Sequence, residues 1–158
     1  MKSILFTLIT LTSGIYIMMS RPALAHCEIP CGIFDDDLRF EMLQEDISTI
    51  HKSIDSINLL SKEKSDAQNT NQIVRWINLK DQQATAIQDL VSQYFLAQRI
   101  SPLMNKNEYM DALKTAHALI ISAMKAKQTT DSGAVDDLKK TLQEFQSAYK
   151  KAAKTKKK

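Results

Sequence analysis

The chain has 158 residues, with only three glycines, three prolines and two cysteines, and a formal net charge of +3. That length suits one domain around a single hydrophobic core, and scarce Gly and Pro beside plentiful Ala, Leu, Ile, Lys and Gln is the composition of a helical protein. So small a net charge argues against a dedicated nucleic-acid binder, and neither internal repeats nor low-complexity blocks occur apart from a lysine-rich stretch over 150–158.

The first segment reads as a leader. Lys2 precedes an apolar run over 4–19 that is interrupted by Thr7, Thr10, Thr12, Ser13 and Gly14. A membrane-spanning helix needs roughly 20 apolar residues, so this run is short for one. Pro22 breaks it, and Ala23-Leu24-Ala25 supplies the small-residue pattern of a signal-peptide cleavage site. Residues 1–25 are therefore expected to be removed, leaving 133 residues with a net charge of +1, since Lys2 and Arg21 depart with them. Arg21 stands alone and makes no twin-arginine signal. Export is expected to be unfolded, so that any cofactor is loaded after translocation, to a periplasmic, lumenal or secreted location and without a stable membrane anchor.

Cleavage there makes His26 the first residue of His26-Cys27-Glu28-Ile29-Pro30-Cys31-Gly32-Ile33-Phe34. A free amine, an imidazole and both cysteine sulfurs of the chain then lie within six residues. Spacing alone serves a disulfide and a metal site equally well. A four-ligand structural zinc site fits less well, because no second Cys/His pair completes it. The terminal position adds the amine, and with the amide nitrogen of Cys27 and the two thiolates it gives two nitrogens and two sulfurs on consecutive chelate rings. Such a set favours a planar arrangement suited to Ni(II) or Cu(II), with the His26 imidazole able to approach axially. Strong thiolate and amide donors favour a higher oxidation state, and a one-electron redox site follows.

Behind this segment the pattern is helical throughout. From Asp37, the spacing of Phe40, Leu43, Ile47, Ile50, Ile54 and Ile57 puts one apolar stripe on one helix face, with Asp35, Asp36 and Asp37 as N-terminal caps and charges. Residues 61–71 are polar and read as a loop, with Ser65 or Asp66 as the cap of a second helix. That helix, over about 69–98, turns Ile73, Ile77, Ala84, Ile87, Val91 and Tyr94 inward, with Lys80 at one core position, and Pro102 ends it. A third carries Tyr109, Leu113, Ala116, Ile120 and Met124. After a turn at 129–133, a fourth carries Val135, Leu138, Leu142, Phe145 and Tyr149. The expectation is an all-α, antiparallel four-helix bundle over 35–150, preceded by the segment 26–34 and followed by a solvated basic tail over 151–158. His51 and His117 read as boundary or surface residues and the methionines as packing or surface residues. Trp76 and Tyr109 suit either the core or a subunit contact.

The segment 26–34 resembles the nickel hook of the nickel-containing superoxide dismutases, H-C-x-x-P-C-G-x-[YF] directly after a removed leader. Arg39, residues 71–81, 91–96 and 122–129 are also similar to that family, so the resemblance extends over most of the mature chain. It implies a homohexamer of four-helix bundles that disproportionates superoxide to dioxygen and hydrogen peroxide by Ni(III)/Ni(II) cycling, with one nickel ion per subunit. It implies as ligands the amine and imidazole of His26, the amide nitrogen and thiolate of Cys27, and the thiolate of Cys31. Pro30 and Gly32 would shape the hook, and the bond before Pro30 would be cis. His26 and Tyr94, a match to a family tyrosine near the metal, would be the catalytic residues. Glu41 is the candidate acid that orients the imidazole. The sequence departs from the family at Phe34, where Tyr is common, and at Gln83, where a basic partner is expected. Competing readings are a non-catalytic metal-binding or metallochaperone protein and a disulfide-stapled helical interaction protein.

Overall fold

The structure is a computed structural model, and it describes residues 34–155. The leader and the residues 26–33 of the expected hook lie outside that span. Four helices make up the described chain, and it contains no strand. Helix α1 is Asp36–Leu60. Helix α2 is Ala67–Asp89 and continues without a break as a π-helix, Leu90–Arg99. Helices α3 and α4 are Lys106–Lys127 and Gly133–Lys154. None of the described helices is long and apolar enough to cross a membrane.

Local chemistry fixes the helix starts. The carboxylates of Asp35 and Asp66 accept hydrogen bonds from the backbone N–H groups of Leu38 (3.0 Å) and Asn69 (2.8 Å), each satisfying a donor that the first helical turn leaves unpaired. Asn105 does the same for Asn107 at the start of α3 (3.0 Å). The cap at Asp66 starts α2 inside the polar stretch expected to be loop, which shrinks to the residues between Leu60 and Ala67. Side chains then join the ends. The Asn58 amide donates to the carbonyl of Thr130 (2.9 Å), tying the end of α1 to the turn before α4. Gln88 donates to Ile120 (3.2 Å), whereas Lys80, earlier on α2, reaches Ala126, later on α3. Rising number on α2 thus meets falling number on α3, and the two run antiparallel.

The large apolar residues of α1 and α4 are buried as their spacing required: Phe40, Leu43, Ile47, Ile50, Ile54 and Ile57 from α1, and Val135, Leu138, Leu142, Phe145 and Tyr149 from α4. Helix α3 corrects the expectation. Its buried residues are Ala112, Ala116, Leu119, Ser122, Ala123 and Ala126, while Tyr109, Leu113 and Ile120 are half-buried and Met124 is 43% exposed. The inner face is one position away from the line drawn through the bulky residues. Alanine-rich faces let helix axes approach closely, and the wider side chains then flank the contact. On α2, Ile73 is half-buried and Ile77 is exposed, so its first half contributes little to the core. The expected basic tail is also shorter, because α4 continues to Lys154 with Ala152 fully buried.

Lys80 occupies its core position at 3% exposure. The side chain is satisfied there: Nζ donates to the carbonyl oxygens of Ala126 (3.0 Å) and Lys127, and lies 3.2 Å from the Asp81 carboxylate. A lysine on α2 thus caps the last carbonyls of α3, where the helix dipole favours a cation.

Candidate functional site

At one end of the bundle α1 begins, the π-helix ends, α3 begins and α4 ends. Four aromatic rings fill the core there. Phe95 packs at 4.8 Å from Phe40, 5.1 Å from Phe145 and 5.0 Å from Tyr149, centroid to centroid, mostly edge to face. Above them sits the carboxylate of Asp36, in the first turn of α1. It accepts four hydrogen bonds, all at 2.7 Å. Two come from the Arg99 guanidinium, through Nε and Nη2, and one each from the hydroxyls of Tyr94 and Tyr149. Three helices are thereby pinned to one side chain.

The π-helix makes this convergence geometrically available. In an α-helix, residues five apart are rotated by about 140° from one another, because each residue advances about 100°. A π-helix bonds i to i+5 and brings such residues back to one side. Backbone and side chain both show that register: the Ile100 N–H donates to Phe95 (2.8 Å) and the Gln98 amide to the carbonyl of Gln93 (2.9 Å). Tyr94 and Arg99, five residues apart, consequently reach the same carboxylate.

The electrostatics follow from those contacts. Burial alone would raise the pKa of Asp36, but the hydrogen bonds from Arg99, Tyr149 and Tyr94 outweigh it and hold the carboxyl below its usual range. The tyrosines move the other way. Burial and the Asp36 carboxylate push Tyr94 up to about 12 and also raise Tyr149, and the hydrogen bond to Asp36 raises Arg99. Under ordinary conditions the cluster holds one carboxylate, one guanidinium and two neutral phenols whose protons point at Asp36.

Phe34 is the last residue of the expected hook and the first described residue. Its ring lies under the Arg99 guanidinium at 4.4 Å and meets Tyr94 edge-on at 6.0 Å. The cation–π contact holds the ring against the Asp36 cluster. Arg39, one turn into α1, stacks over the other partner, 5.2 Å from the Tyr94 centroid, with Nη1 at 3.2 Å from the Met42 sulfur. Its Nε is buried and has no hydrogen-bond partner among the described residues.

Of the residues singled out in the sequence, His26, Cys27, Pro30, Cys31 and Gly32 lie outside the described span. Phe34 and Tyr94 are brought together. Glu41 is exposed on α1 and Gln83 is half-buried on α2. Among the described residues no group of three His, Cys, Asp or Glu could hold a metal ion. His51 is half-buried beside Asp55 (3.7 Å), and His117 is exposed. Sequence reasoning missed Asp36 as anything beyond a helix-start charge, and it missed Arg99. The available signal was the five-residue spacing of Tyr94 and Arg99, which is informative only once the helix is known to be of the π type.

These residues define a helical-bundle protein whose polar centre stands at the end where the cysteine-bearing segment joins the first helix. Residues 21–154 match the family model of nickel-containing superoxide dismutase, a span that takes in His26, Cys27 and Cys31. The chain belongs to the nickel-containing superoxide dismutase family. It is accordingly an oxidoreductase that uses nickel and acts on superoxide. Searches of curated proteins and of solved structures returned no match. The family match disfavours both the metallochaperone and the disulfide-stapled scaffold.

Proposed function

We propose that residues 26–34 form the nickel-binding hook of this dismutase once the leader has been removed after Ala25. The donor chemistry fits. A terminal amine and imidazole at His26, an amide nitrogen and thiolate at Cys27 and a thiolate at Cys31 form the nitrogen–sulfur set that suits nickel, with Pro30 and Gly32 giving the bend. When bound, nickel supplies a one-electron Ni(III)/Ni(II) change, so that one superoxide is oxidised to dioxygen and a second is reduced and takes two protons to become hydrogen peroxide.

The observation that carries the reading is the seat of Phe34. Three extended residues span at most about 10 Å, so the chain tethers Cys31 within that distance of Phe34, whose ring packs on Arg99 and Tyr94. There the Phe34 ring narrows the approach without offering a hydroxyl. The Tyr94 hydroxyl donates to Asp36, so its oxygen acts toward a reduced oxygen species only as an acceptor. The full-length precursor is inactive in this reading, because an amide replaces the His26 amine. Export follows from the leader, and Glu41 is retained as the carboxylate that orients the His26 imidazole. Assembly as a homohexamer draws on apolar surface such as Val74 and Ile77, which are 49% and 38% exposed.

Native mass spectrometry of the exported protein, with nickel quantified in the same sample, tests the proposal. A chain beginning at His26, with about one nickel per subunit and a mass of six chains, is the expected result. Cys27→Ser and Cys31→Ser should each abolish nickel binding and dismutation while the helical circular dichroism is retained. A chain that still carries its leader, or that is metal-free with both cysteines oxidised, would overturn it.

A further inference from the structure

The described methionines do not share one environment. Met104 is buried, whereas Met42, Met110 and Met124 are 38%, 44% and 43% exposed. Met42 differs from the other two in its neighbour. Arg39 lies three residues before it on α1, where helical side chains meet on one face. The Arg39 Nη1 donates to the Met42 sulfur at 3.2 Å, and no other methionine sulfur receives a hydrogen bond among the described residues. The same guanidinium stands over the Tyr94 ring, 5.2 Å from its centroid.

This leaves the guanidinium poorly matched. A thioether is a weak acceptor, so the bond from Nη1 is a weak one. Nε is buried and has no hydrogen-bond partner among the described residues. A buried donor without an acceptor is costly, more so on a charged group. An oxygen atom added to the Met42 sulfur would be polar and would stand on the atom that Nη1 already addresses. The activity of the chain supplies the oxidant, because dismutation of superoxide yields hydrogen peroxide.

We propose that Met42 is a peroxide-modification site, oxidised to methionine sulfoxide, with Arg39 as the side chain that promotes the reaction and holds its product. A lone pair of the sulfur attacks one oxygen of hydrogen peroxide, the O–O bond breaks and an S–O bond forms. The attacked oxygen gives up its proton to the departing one, which leaves as water. Sulfur loses two electrons and the peroxide gains them. One sulfur lone pair faces Nη1, and the exposed part of the side chain leaves the other to the peroxide. An Arg39 N–H donates to the departing oxygen as negative charge builds there, and afterwards to the sulfoxide oxygen. Methionine sulfoxide reductases return the sulfoxide to the thioether, so the site can be used repeatedly. Both side chains belong to the described bundle, and the reaction needs no contact with the hook.

The test exposes the folded protein, nickel-loaded and nickel-free, to hydrogen peroxide and follows sulfoxide at each methionine by peptide mass spectrometry. Exposure alone would make Met42 no faster than Met110 and Met124. Met42 should instead lead both by about tenfold, within what a hydrogen bond to a charged group can supply. The lead should be the same with and without nickel and should vanish in guanidinium chloride, where the pair is dispersed. Arg39→Gln, checked for helical circular dichroism, should bring Met42 down to the rate of the other two. Arg39→Lys, which keeps a cationic donor, should retain part of the lead. Equal rates at Met42, Met110 and Met124 in folded wild type would overturn the proposal with no variant needed. A lead that survives Arg39→Gln, or one seen only with nickel, would overturn it as well. The dismutase reading stands apart from all of these outcomes, since nickel content and activity test it separately.

Discussion

Arg99 and Asp36, 63 residues apart in sequence, meet through two hydrogen bonds of 2.7 Å and so close the end of the π-helix onto the first turn of α1. Both side chains keep about a quarter of their surface exposed, at 22% and 25%. Breaking a fully buried pair costs about 3–5 kcal/mol, and partial exposure discounts that. Asp36→Asn keeps the shape but offers one acceptor oxygen to four donors, and it should destabilise the bundle by about 2–3 kcal/mol. A guanidinium unfolding curve checks this. A midpoint equal to wild type would show that the cluster contributes nothing net.

Helix α1 carries two carboxylates displaced in opposite directions, which gives a signed pH dependence. Asp36 is held below its usual range, so its contribution is complete above the unfolded value of about 3.9 and is lost as pH falls below it. Asp46 is pushed up to about 6 by burial and by the neighbouring Glu45, so the native state loses stability as pH rises from about 4 through 6. Asp46→Asn should therefore raise stability at pH 7.5 by about 1 kcal/mol, after discounting for its half-exposed position, and change nothing at pH 4. Thermal midpoints at the two pH values decide it, and equal gains at both would contradict the assignment.

Tyr94→Phe separates an acceptor from an acid. A general acid typically contributes about 10²- to 10⁴-fold to a rate. Because the phenolic proton is committed to Asp36, loss of the hydroxyl should reduce dismutation by less than about tenfold. The tyrosinate absorbance change that disappears with the hydroxyl should be one centred near pH 12. A loss of about 10³-fold at full nickel content would make Tyr94 a proton donor after all.

Lys80→Met keeps the volume of the stem but removes the ammonium that bonds the last carbonyls of α3. A hydrogen bond to a charged group is worth about 1.5–3 kcal/mol, and two buried carbonyls lose a partner. Stability should fall by about 2–3 kcal/mol, with faster amide exchange confined to the end of α3. A neutral effect would mean that water replaces the lysine.

Size and spacing made α1 and α4 readable, because their bulky residues coincide with the buried face. They misled on α3, where Ala116 is buried as expected but Ala112, Ala123 and Ala126 face inward with it and the larger Tyr109, Ile120 and Met124 lie at the margin. Periodicity identifies the broad apolar sector, but close helix approach selects the small residues within it. The family resemblance was legible for the opposite reason, since His26, Cys27 and Cys31 are nearly contiguous and need no tertiary contact to be seen. The Asp36 cluster was illegible because its members come from residues 36, 94, 99 and 149, joined by a helix type for which no sequence pattern was available.

Asp36 and Tyr149 are separated by 113 residues. A ribosome adding about 5–20 residues per second needs about 6–20 s to pass from one to the other. During that interval the seat beneath Phe34 lacks one of its three helices, however early the cysteines have emerged. The order of synthesis therefore delivers Cys27 and Cys31 early and completes the four-bond Asp36 cluster last, which makes that cluster a property of the finished chain rather than of the growing one.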